Sequence, residues 1–178
     1  MQITLLRHLP TEWNKKTWLQ GRRDVGISKV NEDTHKKITE NLHVIEKLAP
    51  FDIVLASTLK RTRQTANFYG FQPETDELLD ELDFGPFEGM PKEVLLKEHG
   101  EQWVENPKEL VLGESLVMFE QRIINFLEKY KSCKKILIFG HGSWNRALLS
   151  YSRYGNINQM NKITFDNNEC ITVQYNPL

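Results

Sequence analysis

Residues 135–149 read KILIFGHGSWNRALL. The apolar run from Ile136 to Phe139 is short and unbroken, the pattern of a strand buried on both faces inside a helix-covered parallel sheet. Ser143 to Tyr151 then carries helical spacing, so a strand over Lys135–Phe139 passes into a helix through His141 and its flanking glycines. The same order occurs twice upstream. Gln2 to Arg7 (QITLLR) is a buried-strand pattern ending in Arg7 and His8, and Asp52 to Ala56 (DIVLA) ends at Ser57, with Arg61 one helical turn beyond. In an open α/β sheet, ligands sit beyond the carboxyl ends of the strands, where the strand order reverses. Arg-His, Ser-x-x-x-Arg and His-Gly-Ser at three such ends point to one bound anion.

The rest of the chain supplies the helices such a sheet needs. Val30 to Leu48 carries Val30, Ile38, Leu42, Ile45 and Leu48 on one loose helical face, and Pro50 stops it. Thr58 to Tyr69 predicts a helix closed by Gly70, Glu74 to Leu82 a short strand before the Gly85-Pro86 turn, and Pro91 to His99 a helix opened by proline and closed by Gly100. Leu116, Phe119, Ile123, Leu127 and Tyr130 mark the clearest amphipathic helix, with Ser115 as its N-cap. Ile163–Phe165 and Cys170–Tyr175 predict a terminal pair of strands joined by a turn at Asp166 to Asn168. The stretch between His8 and Val30 has no period and reads as a functional loop. Alternation of strand and helix predicts an α/β sandwich with a mainly parallel sheet, and no repeat or linker divides residues 1–178, expected to form one domain.

Composition narrows the function classes. With 39% hydrophobic and 26% charged residues, the chain is expected to fold as a soluble globule rather than stay disordered. No apolar run approaches the roughly 18 residues of a membrane span. Gln2 enters a strand pattern without a cationic leader, which predicts no secretion signal. Cys133 and Cys170 are too few for a disulfide framework and too isolated for zinc, so the expected compartment is the cytoplasm. The net charge of −1 conceals an asymmetry: five cations against Glu12 between Arg7 and Arg23, but twelve acids against three lysines between Glu74 and Glu109. That acidic stretch argues against the continuous basic face of a nucleic-acid binder and leaves a local basic pocket open. Several phosphate chemistries have no pattern here. Phe139 and Asn176 stand six residues after the two cysteines, where a cysteine phosphatase needs arginine, and there is no D-x-D pair, phosphate-binding P-loop or HExxH. No metal or cofactor is expected.

LRHLPTEWN at 6–14 resembles the LRHGxTxWN signature of the histidine phosphatase superfamily, the phosphoglycerate mutase-like enzymes. STLKRTRQTA at 57–66, LLDELDFGPFEG at 78–89, GESLVMFEQR at 113–122 and FGHGSWNRALL at 139–149 resemble its further blocks, in order. Each block is weak alone; five in sequence are specific. The resemblance implies a three-layer α/β/α sandwich and a catalytic set of His8, Glu81 and His141. His8 would be the transiently phosphorylated nucleophile, with Arg7, Asn14, Arg61 and His141 holding the phosphoryl oxygens. Glu81 would protonate the leaving oxygen and later activate water, with Glu88 as a competing assignment. Ser57 is expected to shape its turn, and Trp13 and Trp18 either line the substrate mouth or pack in the core, where Trp103 is also expected. Arg22 and Arg23 are expected at the surface.

Two departures stand out. Leu9 replaces the glycine after the nucleophile, which predicts a tighter or reshaped phosphate pocket, and Ser143 and Trp144 replace the usual pair after His141-Gly142. The reading is a metal-independent phosphomonoesterase acting on a small phosphorylated metabolite. The alternatives are a phosphoglycerate-mutase-type phosphotransferase and a non-catalytic phospholigand-binding protein. Mutases of this family generally carry longer insertions and tails that enclose the site, whereas Leu178 lies 37 residues beyond His141. Hydrolysis is therefore expected over transfer.

Overall fold

In the computed structural model, β4 (Lys135–Gly140) lies at the centre of a five-stranded sheet, with β1 (Gln2–Arg7) on one side and β2 (Ile53–Ala56) on the other. The structure describes residues 1–176; Pro177 and Leu178, the end of the expected domain, lie outside the described residues. The two-residue β3 (Glu74–Thr75) extends the sheet parallel to β2, and β5 (Cys170–Gln174) closes the other edge antiparallel to β1. The order β3-β2-β4-β1-β5 places β1 and β2 on opposite flanks of β4, and that reversal opens a crevice at the carboxyl ends.

The unbroken apolar run of β4 is buried on both faces because helices cover both. Ile136 and Ile138 join Ile3, Leu5 and Leu55 in a core with Phe119, Ile123 and Phe126 of α5 (Leu116–Lys129) and with Trp144 and Leu148 of α6 (Gly142–Tyr154). On the opposite face, Leu137 and Phe139 join Leu6 and Ala56 against Ile38 and Ile45 of α2 (Glu32–Leu48) and Ala66 of α3 (Lys60–Phe68). This is the expected three-layer α/β/α sandwich. α1 (Glu12–Lys15) is a single turn after β1, capped by Thr11. Ser115 accepts the Met118 N–H at 3.2 Å, the predicted cap of α5.

Two expectations are corrected. Ile163–Phe165 forms no strand: Phe165 is buried, but its carbonyl accepts Arg7 Nη1 at 2.6 Å instead of a ladder hydrogen bond. α4 runs over Lys92–Glu105, straight through the predicted stop at Gly100. A mid-helix glycine costs about 1 kcal/mol, and burying Trp103, two turns beyond Leu95 on the same face, outweighs it. No helix among the described residues is long and apolar enough to cross a membrane.

Candidate active site

Register, more than proximity in sequence, assembles the crevice. Arg7 pairs with Gly140 and Ala56 with Phe139, so the residues that follow each strand leave the sheet side by side. The His8 N–H donates to the Gly140 carbonyl at 3.0 Å. The rings of His8 and His141 meet edge to face with centroids 5.4 Å apart, and His141 Nε2 lies 2.7 Å from Ser57 Oγ.

His8 is 2% exposed, and its Nδ1 lies 2.7 Å from the Leu9 carbonyl oxygen. A carbonyl can only accept, so Nδ1 carries the proton and Nε2 the lone pair. Burial, reinforced by Arg61 and Arg7, holds the ring's pKa well below the ordinary histidine value, so it is neutral at pH 7. The Leu9 backbone is fixed in turn, its N–H donating to Thr65 Oγ1 at 2.9 Å. The Leu9 side chain is buried with Leu6, Ile38 and Ile45 beneath the sheet and does not line the cavity. The expectation that Leu9 narrows the pocket is thus not met at this side chain, which points into the core.

His141 is fully buried, and burial followed by Arg61, His8 and Arg7 lowers its pKa well below the ordinary value. A proton relay fixes its tautomer. Thr62 Oγ1 gives its hydrogen to the Leu59 carbonyl at 2.9 Å, so it accepts from Ser57, which accepts the His141 Nε2–H. His141 Nδ1 is left without a partner in the protein. Ser57, expected only to shape its turn, orients this histidine.

A cavity of about 300 Å³ opens beside the His8 ring; His141 stands behind His8, buried and not itself among the lining residues, while its neighbours Gly142 and Ser143 are. Arg7 ties Nη1 to Phe165 O, and a Cβ on Gly142 would lie 3.1 Å from the Arg7 guanidinium carbon, so glycine there lets helix α6 start against that cation. Arg61, 1% exposed, donates Nη1 to Arg23 O and Nη2 to Gly21 O, both at 2.7 Å; burial pulls its pKa to about 10, still cationic at pH 7. Asn14 reaches the same wall from α1, its Oδ1 accepting the Thr11 N–H at 3.0 Å.

Glu81 faces the cavity from the loop before Leu82. Its Oε1 accepts from the Leu82 and Trp144 N–H groups at 2.9 and 3.0 Å, and Oε2 accepts from Ser143 N–H at 3.0 Å. The carboxylate therefore caps the N-terminus of α6, where backbone donors and the helix dipole favour negative charge. Trp144 supports it from below, sending its indole N–H to Leu78 O at 2.8 Å. Glu88 is half-buried elsewhere: its Oε1 accepts the Arg22 N–H at 2.8 Å, and it does not line the cavity. Arg22, expected at the surface, donates Nε to the Glu81 carbonyl at 2.6 Å.

The rim takes Trp18 from the loop expected to be functional, one of the two tryptophans named for the mouth or the core, and its other parts from segments whose pattern gave no signal for it. Trp18, Leu19, Phe84 and Trp103 form an apolar side, and Lys92 and Arg146 add two cations. Trp18 bridges to Pro91, and the Lys92 N–H donates to Thr17 O at 2.9 Å, fastening loop to helix. Trp13 does not line the cavity; it packs on Trp18 and under Gly89, whose φ of +79° suits glycine. Arg146 donates to Asn161 Oδ1 at 3.2 Å and Ser143 Oγ at 3.3 Å, and burial beside Arg7 lowers its pKa to about 10. Arg146 stands inside the HGSWNR segment and could have been noticed there. Lys92 and Asn167 had no sequence signal. Among the lining residues four cations face one carboxylate, Glu81.

The model of the histidine phosphatase superfamily (branch 1) matches residues 3–177. The uncharacterized phosphatase PhoE of Bacillus subtilis is 31% identical over 156 residues, covering 83% of this chain and 75% of that protein. A 2,3-bisphosphoglycerate-dependent phosphoglycerate mutase of Buchnera aphidicola is 28% identical, covering 93% and 88%. Among solved structures, TTHB049 of Thermus thermophilus superposes with a TM-score of 0.78 at 27% identity, covering 98% of this chain and 94% of that one.

Proposed function

The chain belongs to the histidine phosphatase superfamily (branch 1), and within it we propose a metal-independent phosphomonoesterase that hydrolyses a small phosphorylated metabolite through a phosphohistidine on His8. The observation that carries this reading is the His8 Nδ1–H bond to Leu9 O, which presents a neutral Nε2 lone pair in a basic cavity. Nε2 attacks phosphorus, the ester P–O bond breaks, and Glu81, having taken up the proton that the monoanionic ester brings in, delivers it to the leaving oxygen. Water then attacks the phosphohistidine, gives its proton to Glu81, and His8 leaves as the neutral ring. Arg7, Arg61, the Asn14 amide and His141 Nδ1 hold the phosphoryl oxygens. An incoming dianion favours the protonated form of His141, which turns Nδ1 into a donor. One unit-charge contact at about 4 Å and an effective dielectric of 20 amounts to about 4 kcal/mol, so this cation cluster supplies charge stabilisation of the kind phosphoryl transfer demands.

Arg146 and Lys92 lie outside that set and favour a substrate with a second anionic group, such as a carboxylate. The mutase relative is named for phosphoglycerate, which carries one. The cytoplasm, where Cys133 and Cys170 stay free thiols, is the compartment that goes with such a metabolite.

A panel of phosphorylated metabolites tests the reading. Acid-bearing phosphomonoesters should release inorganic phosphate, undiminished by exhaustive chelation. Incubation with 3-phosphoglycerate and 2,3-bisphosphoglycerate should give little 2-phosphoglycerate. Efficient isomerisation without phosphate release would make the mutase reading the better one.

A further inference from the structure

We propose that Asn167, delivered from the turn before β5, is a positioning residue that locks the Asn14 amide with its Nδ2 toward the phosphoryl group. The inference rests on the phosphate pocket described above and extends it to a part of the chain far from every motif.

The geometry is a matter of donor and acceptor arithmetic. Asn167 Nδ2 has two hydrogens, and two acceptors lie in reach: the His8 carbonyl at 3.0 Å and Asn14 Oδ1 at 3.2 Å. Asn14 Oδ1 also accepts the Thr11 N–H at 3.0 Å, which fills its two lone pairs; the Thr11 hydroxyl lies 3.1 Å from the same oxygen but has a closer acceptor for its one hydrogen in Gln20 Oε1, at 2.8 Å. An amide that rotated by half a turn would set its NH2 group against two donors and lose both bonds. The Asn14 oxygen is therefore held away from the anion, and its Nδ2 is left to donate into the cavity that Asn14 and Asn167 both line. Without Asn167, the Thr11 N–H alone would oppose rotation, while the Thr11 hydroxyl oxygen, 3.1 Å away, could accept from the rotated NH2 group; a rotated Asn14 would aim a carbonyl oxygen at a phosphoryl oxygen.

The turn itself is rigid, which makes it a usable lever. Asn168 adopts a left-handed conformation (φ 59°), tolerated by asparagine, and its N–H donates to the Arg7 carbonyl at 3.1 Å. Asn41 Nδ2 of α2 donates to the Asn168 carbonyl at 2.8 Å and to the Tyr69 hydroxyl at 2.9 Å, and that hydroxyl donates to Asn168 Oδ1. All three side chains are buried and hydrogen-bonded in one cluster, which clamps the turn between the end of β1 and two helices. Asn168 anchors the turn, while Asn167 projects from it into the site.

A double-mutant cycle separates positioning from simple support. N14A, N167A, N167L and N14A/N167A would be assayed for kcat/KM and, by calorimetric titration, for orthovanadate affinity. N167L keeps the side chain's volume but donates nothing. Each of N14A, N167A and N167L should lose about tenfold in both readouts, the scale of one hydrogen bond. The double mutant should lose little more than N14A. Losses that multiply, or an N167A protein indistinguishable from wild type, would overturn the proposal. A wild type that binds vanadate but releases no phosphate would count against the phosphatase reading alone, since the vanadate arm still decides the role of Asn167.

Discussion

The floor and the rim of this cavity are built in opposite ways. On the floor and directly behind it, His8, then His141 and Ser57, follow three adjacent parallel strands, and each polar side-chain atom has an assigned partner or one free valence. The rim draws on the Thr17–Leu19 loop, the start of α4, Trp103 and Arg146, joined by single contacts such as the Trp18–Pro91 bridge and the Asn161 amide, which donates to the Trp103 carbonyl and accepts from Arg146. Strand ends are held by ladder hydrogen bonds over several residues, so they fix atoms to the tolerance that bond-making needs. Loops allow change in side chain and shape at small cost to the fold. The floor therefore sets the reaction and the rim selects what undergoes it.

The largest expected effect tests the floor. His8→Ala should abolish turnover and the acid-labile phosphate label seen with wild type in rapid quench, with the fold intact. Labelling or turnover equal to wild type would remove His8 from the mechanism.

Glu81 joins floor and rim, since it caps α6 and faces substrate. Glu81→Gln should slow poor leaving groups such as sugar phosphates by about 10²- to 10⁴-fold, the usual worth of a general acid, and an activated aryl phosphate far less. An equal loss on both would reduce Glu81 to the helix cap seen in its bonds to Ser143 and Trp144. Glu88→Gln should spare the ratio between the two substrates, because Glu88 stands off the cavity.

The smallest effect belongs to the rim and is the sharpest test of the division. Arg146→Ala should raise KM about ten- to a hundredfold for an acid-bearing phosphomonoester, the loss of one charge-assisted contact, and leave kcat and the KM of an aryl phosphate nearly unchanged. A fall in kcat on both substrates would place Arg146 on the floor.

Sequence by itself determined the layered α/β fold and which residues stand at the strand ends. Both are local: a run such as Ile136–Phe139 shows burial on two faces, and His8 or His141 is next in the chain after its strand. Helix ends were less legible, as α4 shows, because a buried Trp103 overrides the stop at Gly100. The Ile163–Phe165 strand failed for a related reason, its backbone acceptor being taken by Arg7. Tertiary structure alone decided that Ser57 orients His141, that Glu88 is turned to the Arg22 N–H and away from the cavity, that Leu9 points into the core, and that Asn167 meets Asn14. Each of these depends on sheet register or on the packing of a turn against distant helices. Such pairings join residues far apart in the chain, and a spacing rule cannot encode them, because the geometry exists only once the strands are side by side.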